Sequence, residues 1–427
     1  MFDNYNISRG DEQMYLCVDL KSFYASCECV ARGLDPFKVN LVVADKSRGK
    51  GTICLAASPH IKELGVGSRC RLFEIPDDID YIIAKPRMRF YMEVSSYIYN
   101  IYLDFFSDED IHVYSIDEVF INLNPYLHLY GNNTREIAKM VMNKIFEKTG
   151  ITATAGIGTN LYLAKIALDI ISKHNDSHIG YLDEELFKKY LWHYKPLDKF
   201  WSIGRGISTH LNRLGIFDMY DLAHYDESIL FSEFGINARL LIDHSWGVET
   251  ATISDIKKYV PKSRSISSSQ ILFHDYNYLN ARIVLTEMID DLVMELVTKR
   301  YFTDGLSLYI GYSKDKIKGL SVSKKLDNST CSFDDISKCI LDIYNHNINK
   351  DFAVRRIGIS FHITNNINKQ LDLFSDIDDN EKEYSLLRNV SKIKNKYGKN
   401  SILRGISYTE NANQLSRNKY VGGHNAE

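Results

Sequence analysis

Between Tyr15 and Lys173, short apolar runs alternate with amphipathic stretches in an order that few folds accept. Tyr15 to Val18 reads as a buried strand, followed by a short helix from Phe23 to Arg32 and a second apolar strand from Leu41 to Ala44. From Arg87 to Phe106, apolar residues (Tyr91, Val94, Ile98, Ile101, Tyr102, Phe105) return at three and four residue intervals, as on one face of a helix. His112 to Leu123 reads as a strand with a fold-back at Asp117-Glu118. A helix from Arg135 to Lys148 and a β-branched strand from Ile151 to Ile157 follow. Asn160 to Lys173 is helical, with Leu161, Ala164, Ala167, Leu168 and Ile171 inward and Lys165, Asp169 and Lys173 as a polar stripe. Strand, helix, strand, strand, helix, strand is the order of a split β-α-β (ferredoxin-like) sheet, an α+β layer with its helices on one face. Such a sheet can bring the end of its first strand beside its middle ones, and Asp19 would then meet Asp117 and Glu118.

The remaining length calls for more than one core. At 427 residues the chain suggests three or four domains. Residues 181 to 246 turn helical, and Phe200 to Ile216 reads as two helices joined by a Gly-x-Gly hairpin at Ile203-Gly204-Arg205-Gly206, whose backbone can approach a phosphate closely. Thr250 to Lys262 reads as a linker. Arg264 to about Thr364 forms a last unit of strands and long helices, carrying Arg264, Lys324, Arg355 and Arg356; charges gathered on one sheet face would track a duplex backbone. Beyond Thr364 the chain turns polar. No apolar run of about 18 residues and no charged-then-apolar start are present, so neither a membrane span nor a signal peptide is expected. The seven cysteines show no C-x-x-C pair and read as thiols of a reducing cytosol. A net charge of −3 excludes a uniformly basic nucleic-acid coat but leaves local basic faces open.

The chemistry lies in the acids. Carboxylates on strand ends are rigidly held, and oxygen ligands suit Mg²⁺. A solvated or salt-bridged sheet edge would explain them equally well by residue type alone. Ser58 reads as an N-cap with Pro59 at the first helical position, placing Lys62 one turn into a helix whose N-terminus favours anions. With Lys173 on the polar stripe, the set suits phosphoryl transfer by two metals about 3.5–4 Å apart.

Five motifs in order resemble the Y-family translesion DNA polymerases, and most closely their UmuC-type branch (UmuC/MucB/ImpB-like). They are Asp19-Leu20-Lys21-Ser22-Phe23-Tyr24, Ser115-Ile116-Asp117-Glu118, Ala164-Lys165-Ile166-Ala167 with Lys173, Ile203-Gly204-Arg205-Gly206, and Arg355-Arg356-Ile357-Gly358. The resemblance implies a multidomain α+β fold. Its parts are a catalytic palm (1–22 and 89–180), small fingers (23–88), a helical thumb with a helix-hairpin-helix (181–246), a linker (247–261), a DNA-binding little finger (262–365) and a flexible C-terminal tail (366–427). It further implies Asp19, Asp117, Glu118 and the Leu20 carbonyl as ligands of two Mg²⁺ ions, with Mn²⁺ as a substitute. Phe23, Tyr24, Ser58, Lys62 and Lys173 would contact a dNTP, Tyr24 as the steric gate under the sugar. Gly204, Arg205, Gly206, Arg264, Lys324, Arg355 and Arg356 would contact primer-template DNA. Many relatives carry tyrosine where this chain has Pro59 and arginine where it has Lys62. A lysine cannot make the bidentate phosphate contact of arginine.

Gln370-Leu371-Asp372-Leu373-Phe374 resembles the peptide by which bacterial polymerases dock on the sliding clamp (β subunit): Leu371, Leu373 and Phe374 offer an apolar anchor and Gln370 a hydrogen-bonding one. The expected activity is low-fidelity, template-directed DNA synthesis in SOS damage tolerance, in the cytoplasm and on the nucleoid. A recombinase filament or a UmuD-like subunit would be further partners. A catalytically idle, clamp-tethered DNA-binding accessory is the alternative from another class; a nucleotide cyclase would explain the acids but neither the hairpin nor the basic last unit.

Overall fold

A computed structural model describes residues 13–131, 133–313, 317–364 and 377–427. It divides the chain into two units, Met1–Tyr259 with Ala426–Glu427, and Val260–Asn425.

The first unit is built on a five-stranded sheet of order β5-β6-β1-β7-β8, made of β1 (Tyr15–Leu20), β5 (Ile111–Val113), β6 (Glu118–Asn122), β7 (Ala153–Gly158) and β8 (Ile179–Leu182). The first strand lies in the middle, antiparallel to β6 and β7, so the ferredoxin-like order expected from the sequence is the one found. Helices α3 (Met88–Leu103), α4 (Thr134–Thr149) and α5 (Leu161–Ile166) belong to this layer. The helix beginning at Leu161 loosens into a π-turn (Ala167–Ile171) and a 3₁₀ turn (Ser172–His174) in place of one regular helix. It lies unusually close to the sheet. A Cβ on Gly156 would stand 2.1 Å from the Ala164 carbonyl oxygen, and one on Gly158 2.2 Å from the Ala164 nitrogen. Only glycine lets these backbones meet.

The insertion between β1 and α3 holds α1 (Phe23–Ala31) and a small sheet of β2 (Leu41–Val43), β3 (Ala56–Ala57) and β4 (Ile82–Ala84), with α2 (Pro59–Glu63) beside it. Short helices follow: α6 (Glu184–Leu191), α7 (Arg205–Arg213), α8 (Met219–Ala223), α9 (Glu227–Phe234) and α10 (Asn237–Ser245). Before the glycine hairpin there is a single 3₁₀ turn, Leu197–Lys199, where the sequence suggested a helix. The stretch read as a linker is partly helix α11 (Ile253–Lys258), closed by a Thr252/Asp255 capping box. Its Ile253 is buried with Tyr15, Cys17, Phe120 and Leu161. Two isoleucines in a six-residue stretch are too short a periodic signal to reveal that docking.

The second unit has a four-stranded antiparallel sheet of order β11-β10-β12-β9, from β9 (Arg264–Tyr276), β10 (Phe302–Tyr312), β11 (Leu320–Thr330) and β12 (Val354–Thr364). Strand β11 went unseen in the sequence because its lysines and serines mask the alternation. Leu306, Leu308, Ile310, Ile357, Ile359 and Phe361 pack with α12 (Tyr278–Lys299) and α13 (Phe333–Asn347). The tail needs correction. From Ile377 on it is not a flexible tail: α14 (Ile377–Tyr397) buries Leu387 in the same core. Three acids of α12 hold the chain beyond this helix. Buried Glu287 accepts the Asn413 and Gln414 backbone N–H groups (2.9 and 3.2 Å), Asp290 accepts Arg404 (2.6 Å), and Asp291 accepts the Gln414 side-chain amide (2.6 Å). Polar anchoring of this kind leaves little hydrophobic period to read.

Candidate active site

The acids meet because of strand register. In the β1–β6 ladder Asp19 stands opposite Glu118, and the fold-back between β5 and β6 carries Asp117 alongside. The Leu20 N–H donates to the Asp117 carbonyl (2.9 Å), and the Tyr114 and Ser115 N–H groups both donate to the Glu118 carbonyl (3.0 and 3.1 Å). Ser95 Oγ of α3 donates to the Ile116 carbonyl (2.6 Å), and Ser115 Oγ to Asp117 Oδ1 (2.6 Å). The loop is therefore fixed from both sides. Burial, then the charges of Asp117 and Glu118, push the Asp19 carboxyl up to about 7, against the opposing pull of Lys173 and Lys165. A cavity of about 280 Å³ opens beside the acids, between α3 and the fold-back, lined by Leu20, Ser95, Tyr102, Ser115, Asp117 and Glu118.

Lys165 was placed on an outer polar stripe by the sequence, and it is buried. Its ammonium lies 2.9 Å from Glu118 and 3.1 Å from Asp169, while Lys173 reaches Asp169 at 3.2 Å. Cys17 Sγ also donates to Glu118 Oε1 (3.2 Å). The glycine-lined approach of α5 to β7 brings Lys165 inward. Among the described residues no three His, Cys, Asp or Glu side chains gather at metal-ligating spacing; Glu118 turns to Lys165 and Asp117 to Ser115. The donor chemistry nonetheless fits a hard divalent cation, since carboxylates and a backbone carbonyl at one rigid sheet end are oxygen donors whose mutual repulsion a cation relieves.

The residues expected to face a nucleotide are less uniform than the sequence suggested. Ser22, at φ 51°, turns the chain from β1 into α1 and accepts a hydrogen bond from Lys62 Nζ (2.7 Å). Burial lowers the Lys62 pKa, Asp19 raises it, and Lys173 and Lys21 lower it again, which places these cations within one electrostatic neighbourhood. Phe23 is buried. Tyr24 is half-buried and stacks on Tyr91 with ring centroids 4.6 Å apart and planes at 19°. Asp117 helps to raise the Tyr24 phenol after burial, so the ring lies near the acids. Ser58 stands at the N-cap position with Pro59 opening α2, as expected, but its side chain is engaged elsewhere. It is fully buried, makes no cap, donates to the Val39 carbonyl (2.6 Å) and accepts the Leu41 N–H (3.1 Å), bracing the small sheet.

Gly204, Arg205 and Gly206 are exposed at the start of α7, with open space where a Cβ would be on either glycine. In the second unit the basic residues do not share one sheet face. Cross-strand rows on the helix-free face run Ser267, Ser360, Ser307, Ser323 and Ser269, Gly358, Tyr309, Ser321, with Arg356 beyond them opposite Gly311. Lys324 and Arg264 instead register with Leu306 and Ile363, at the outer strands, and Arg355 pairs with Asp275 at 3.5 Å. Alternation along a strand assigns sides, so a one-residue difference in parity separates these charges. The segment Gln370–Phe374 lies outside the described residues.

Comparison with known proteins bears on the whole chain. Residues 18–169 match the impB/mucB/samB family and residues 263–373 its C-terminal domain. A protein of Bacillus subtilis (strain 168) whose name, UvrX, refers to UV-damage repair is 35% identical over 96% of this chain and 97% of its own. The same organism's "DNA polymerase IV 2" is 29% identical over 97% and 99%. Among solved structures, a "Y-family DNA polymerase chimera Dbh-Dpo4(243-245)-Dbh" matches with a TM-score of 0.62, 22% identity and coverage of 82% of this chain and 98% of its own.

Proposed function

The chain belongs to the impB/mucB/samB family and is a DNA-directed DNA polymerase of the UmuC-type Y-family branch, and from that premise we propose that it extends primers across damaged template with low fidelity. The observation that carries the reading is the register pairing of Asp19 with Glu118, with Asp117 beside them and Lys62 and Lys173 within electrostatic reach.

Asp19, Asp117, Glu118 and the Leu20 carbonyl would hold two Mg²⁺ ions, with Mn²⁺ as an alternative. When bound, such ions supply the positive charge that activates a hydroxyl and stabilises a leaving phosphate. The primer 3′-oxygen bonds to the α-phosphorus of a dNTP as the bond to pyrophosphate breaks. Lys62 and Lys173 hold the triphosphate as point charges, without the forked geometry that an arginine would impose. The Tyr24 ring, backed by Tyr91, lies under the sugar and leaves no room for a 2′-hydroxyl. The helix-hairpin-helix at Gly204–Gly206 and the serine-lined face with Arg356 receive the DNA backbone; Arg264, Lys324 and Arg355, on the other side by strand parity, contribute charge only from a distance. Gln370, Leu371, Leu373 and Phe374 dock on the sliding clamp, and a recombinase filament or UmuD-like subunit are candidate regulators. The work is cytoplasmic, on the nucleoid, as part of the SOS response.

Primer extension on undamaged and lesion-bearing templates in Mg²⁺ tests the site: Asp117→Ala with Glu118→Ala abolishes extension. Wild-type extension by that variant overturns the assignment, and extension by neither protein restores the idle-accessory reading.

A further inference from the structure

Beneath Tyr24 lies a buried ionic cluster to which nucleotidyl transfer assigns no task. Glu28 of α1 has no exposed side-chain surface. Arg87, at the start of α3, grips both of its oxygens from Nε and Nη2 (2.9 and 3.0 Å), and Arg32 binds the same carboxylate. A third donor is Tyr91, whose hydroxyl gives its hydrogen bond to Glu28 Oε1 (2.8 Å). Tyr91 itself is fully buried and carries the Tyr24 ring on its face. Burial would raise the Glu28 carboxyl, but its bonds from Arg87, Arg32 and Tyr91 bring it below the ordinary range, so it stays charged.

The placement is as informative as the contacts. Glu28 sits where the chain has just left the central sheet through α1, and Arg87 where it returns into α3. One carboxylate therefore ties together both crossings between the sheet and the inserted segment. A bidentate Arg–carboxylate pair fixes orientation as well as distance. A tyrosine ring pinned at its hydroxyl end cannot slide under its neighbour, and a half-buried ring stacked on it inherits that height.

We propose that Glu28, held by Arg87 and Arg32, is a positioning residue for sugar selection: through the Tyr91 hydroxyl it sets how far the Tyr24 ring projects toward the nucleotide sugar. This rests on the reading of Tyr24 as the gate. Without the Glu28 bond, Tyr91 gains freedom, Tyr24 drops, and ribonucleotides enter while deoxynucleotides still fit.

The test is steady-state single-nucleotide extension by the full-length protein with a dNTP and the matching rNTP, using Tyr91→Phe, Glu28→Gln and Tyr24→Ala, with thermal melting of each. Tyr91→Phe removes only the hydroxyl. It should lower the dNTP-to-rNTP ratio of kcat/KM roughly tenfold, the size expected for one hydrogen bond to a charged group, through the rNTP value and with dNTP kcat within about twofold. Glu28→Gln should shift the ratio in the same direction, and if it fails to fold, Tyr91→Phe decides. A ratio unchanged in Tyr91→Phe while Tyr24→Ala loses discrimination overturns the positioning role and leaves the gate standing. Unchanged discrimination in Tyr24→Ala removes the gate and the proposal with it. An equal fall in dNTP and rNTP efficiency would mark a merely structural cluster and also overturn it.

Discussion

Replacing Lys165 by methionine keeps the side-chain length and removes one charge at the most crowded point of the site. In the protein that charge sits 2.9 Å from Glu118 and 3.1 Å from Asp169, and both Lys165 and Glu118 are more than nine-tenths buried. Asp169 retains Lys173 at 3.2 Å and is partly exposed, so its loss is small. Among the described residues, Glu118 then keeps the Cys17 Sγ contact. Breaking one side of a buried pair costs about 3–5 kcal/mol. The penalty at pH 7 should therefore be about 3–5 kcal/mol. Urea unfolding of Lys165→Met and wild type in EDTA at pH 7, followed by a probe in the first unit, measures it. A loss below about 1 kcal/mol would refute the inward ion pair.

Asp19 gives the unmodified protein a pH dependence of its own. Its carboxyl is raised from 3.8 to about 7, so the folded state holds the proton: in the metal-free protein the Asp19 contribution to stability is fully present below about 4 and is lost as pH rises toward 7. Because protons and Mg²⁺ compete for this carboxylate, apparent Mg²⁺ affinity in primer extension should weaken up to about tenfold per unit below pH 7 and level off above it; a flat profile between pH 6 and 8 argues against the assignment. Gly156→Ala pushes a methyl to 2.1 Å from the Ala164 carbonyl and should cost at least 1–3 kcal/mol, read as a lower melting temperature. Deleting Gln370–Phe374 should abolish clamp pull-down while clamp-free extension survives; retained clamp affinity would place docking elsewhere. Arg356→Ala, with its side chain on the open sheet face, should weaken duplex binding and flatten its salt dependence, by a slope change of about one, whereas Lys324→Ala should do less.

Much of this protein was legible in its sequence. The period of apolar residues along each segment reports which side is buried, so the order of strands and helices between Tyr15 and Ile171, the ferredoxin-like layer, the fold-back at Asp117-Glu118 and the approach of Asp19 to those acids came from local pattern. The family resemblance rested on five motifs in order, and the matches across both units agree with it. What periodicity does not carry is what each side is buried against. Lys165 belongs by spacing to a polar stripe, and only the glycine-lined contact between α5 and β7 turns it onto Glu118. Tyr91 reads as one more core aromatic until α3 is laid under α1 and its ring meets Tyr24. Ser58 holds the N-cap position that its spacing suggests, yet its hydroxyl bonds the backbone of Val39 and Leu41 instead of closing the helix. The basic residues of the second unit part company because strand parity assigns them to different sides. Asp19, Asp117 and Glu118 were recognisable from chain order because adjacent strands bring their ends together; the shell that charges and positions them comes from residues tens of positions apart, whose meeting depends on register and docking distance, quantities no local pattern contains.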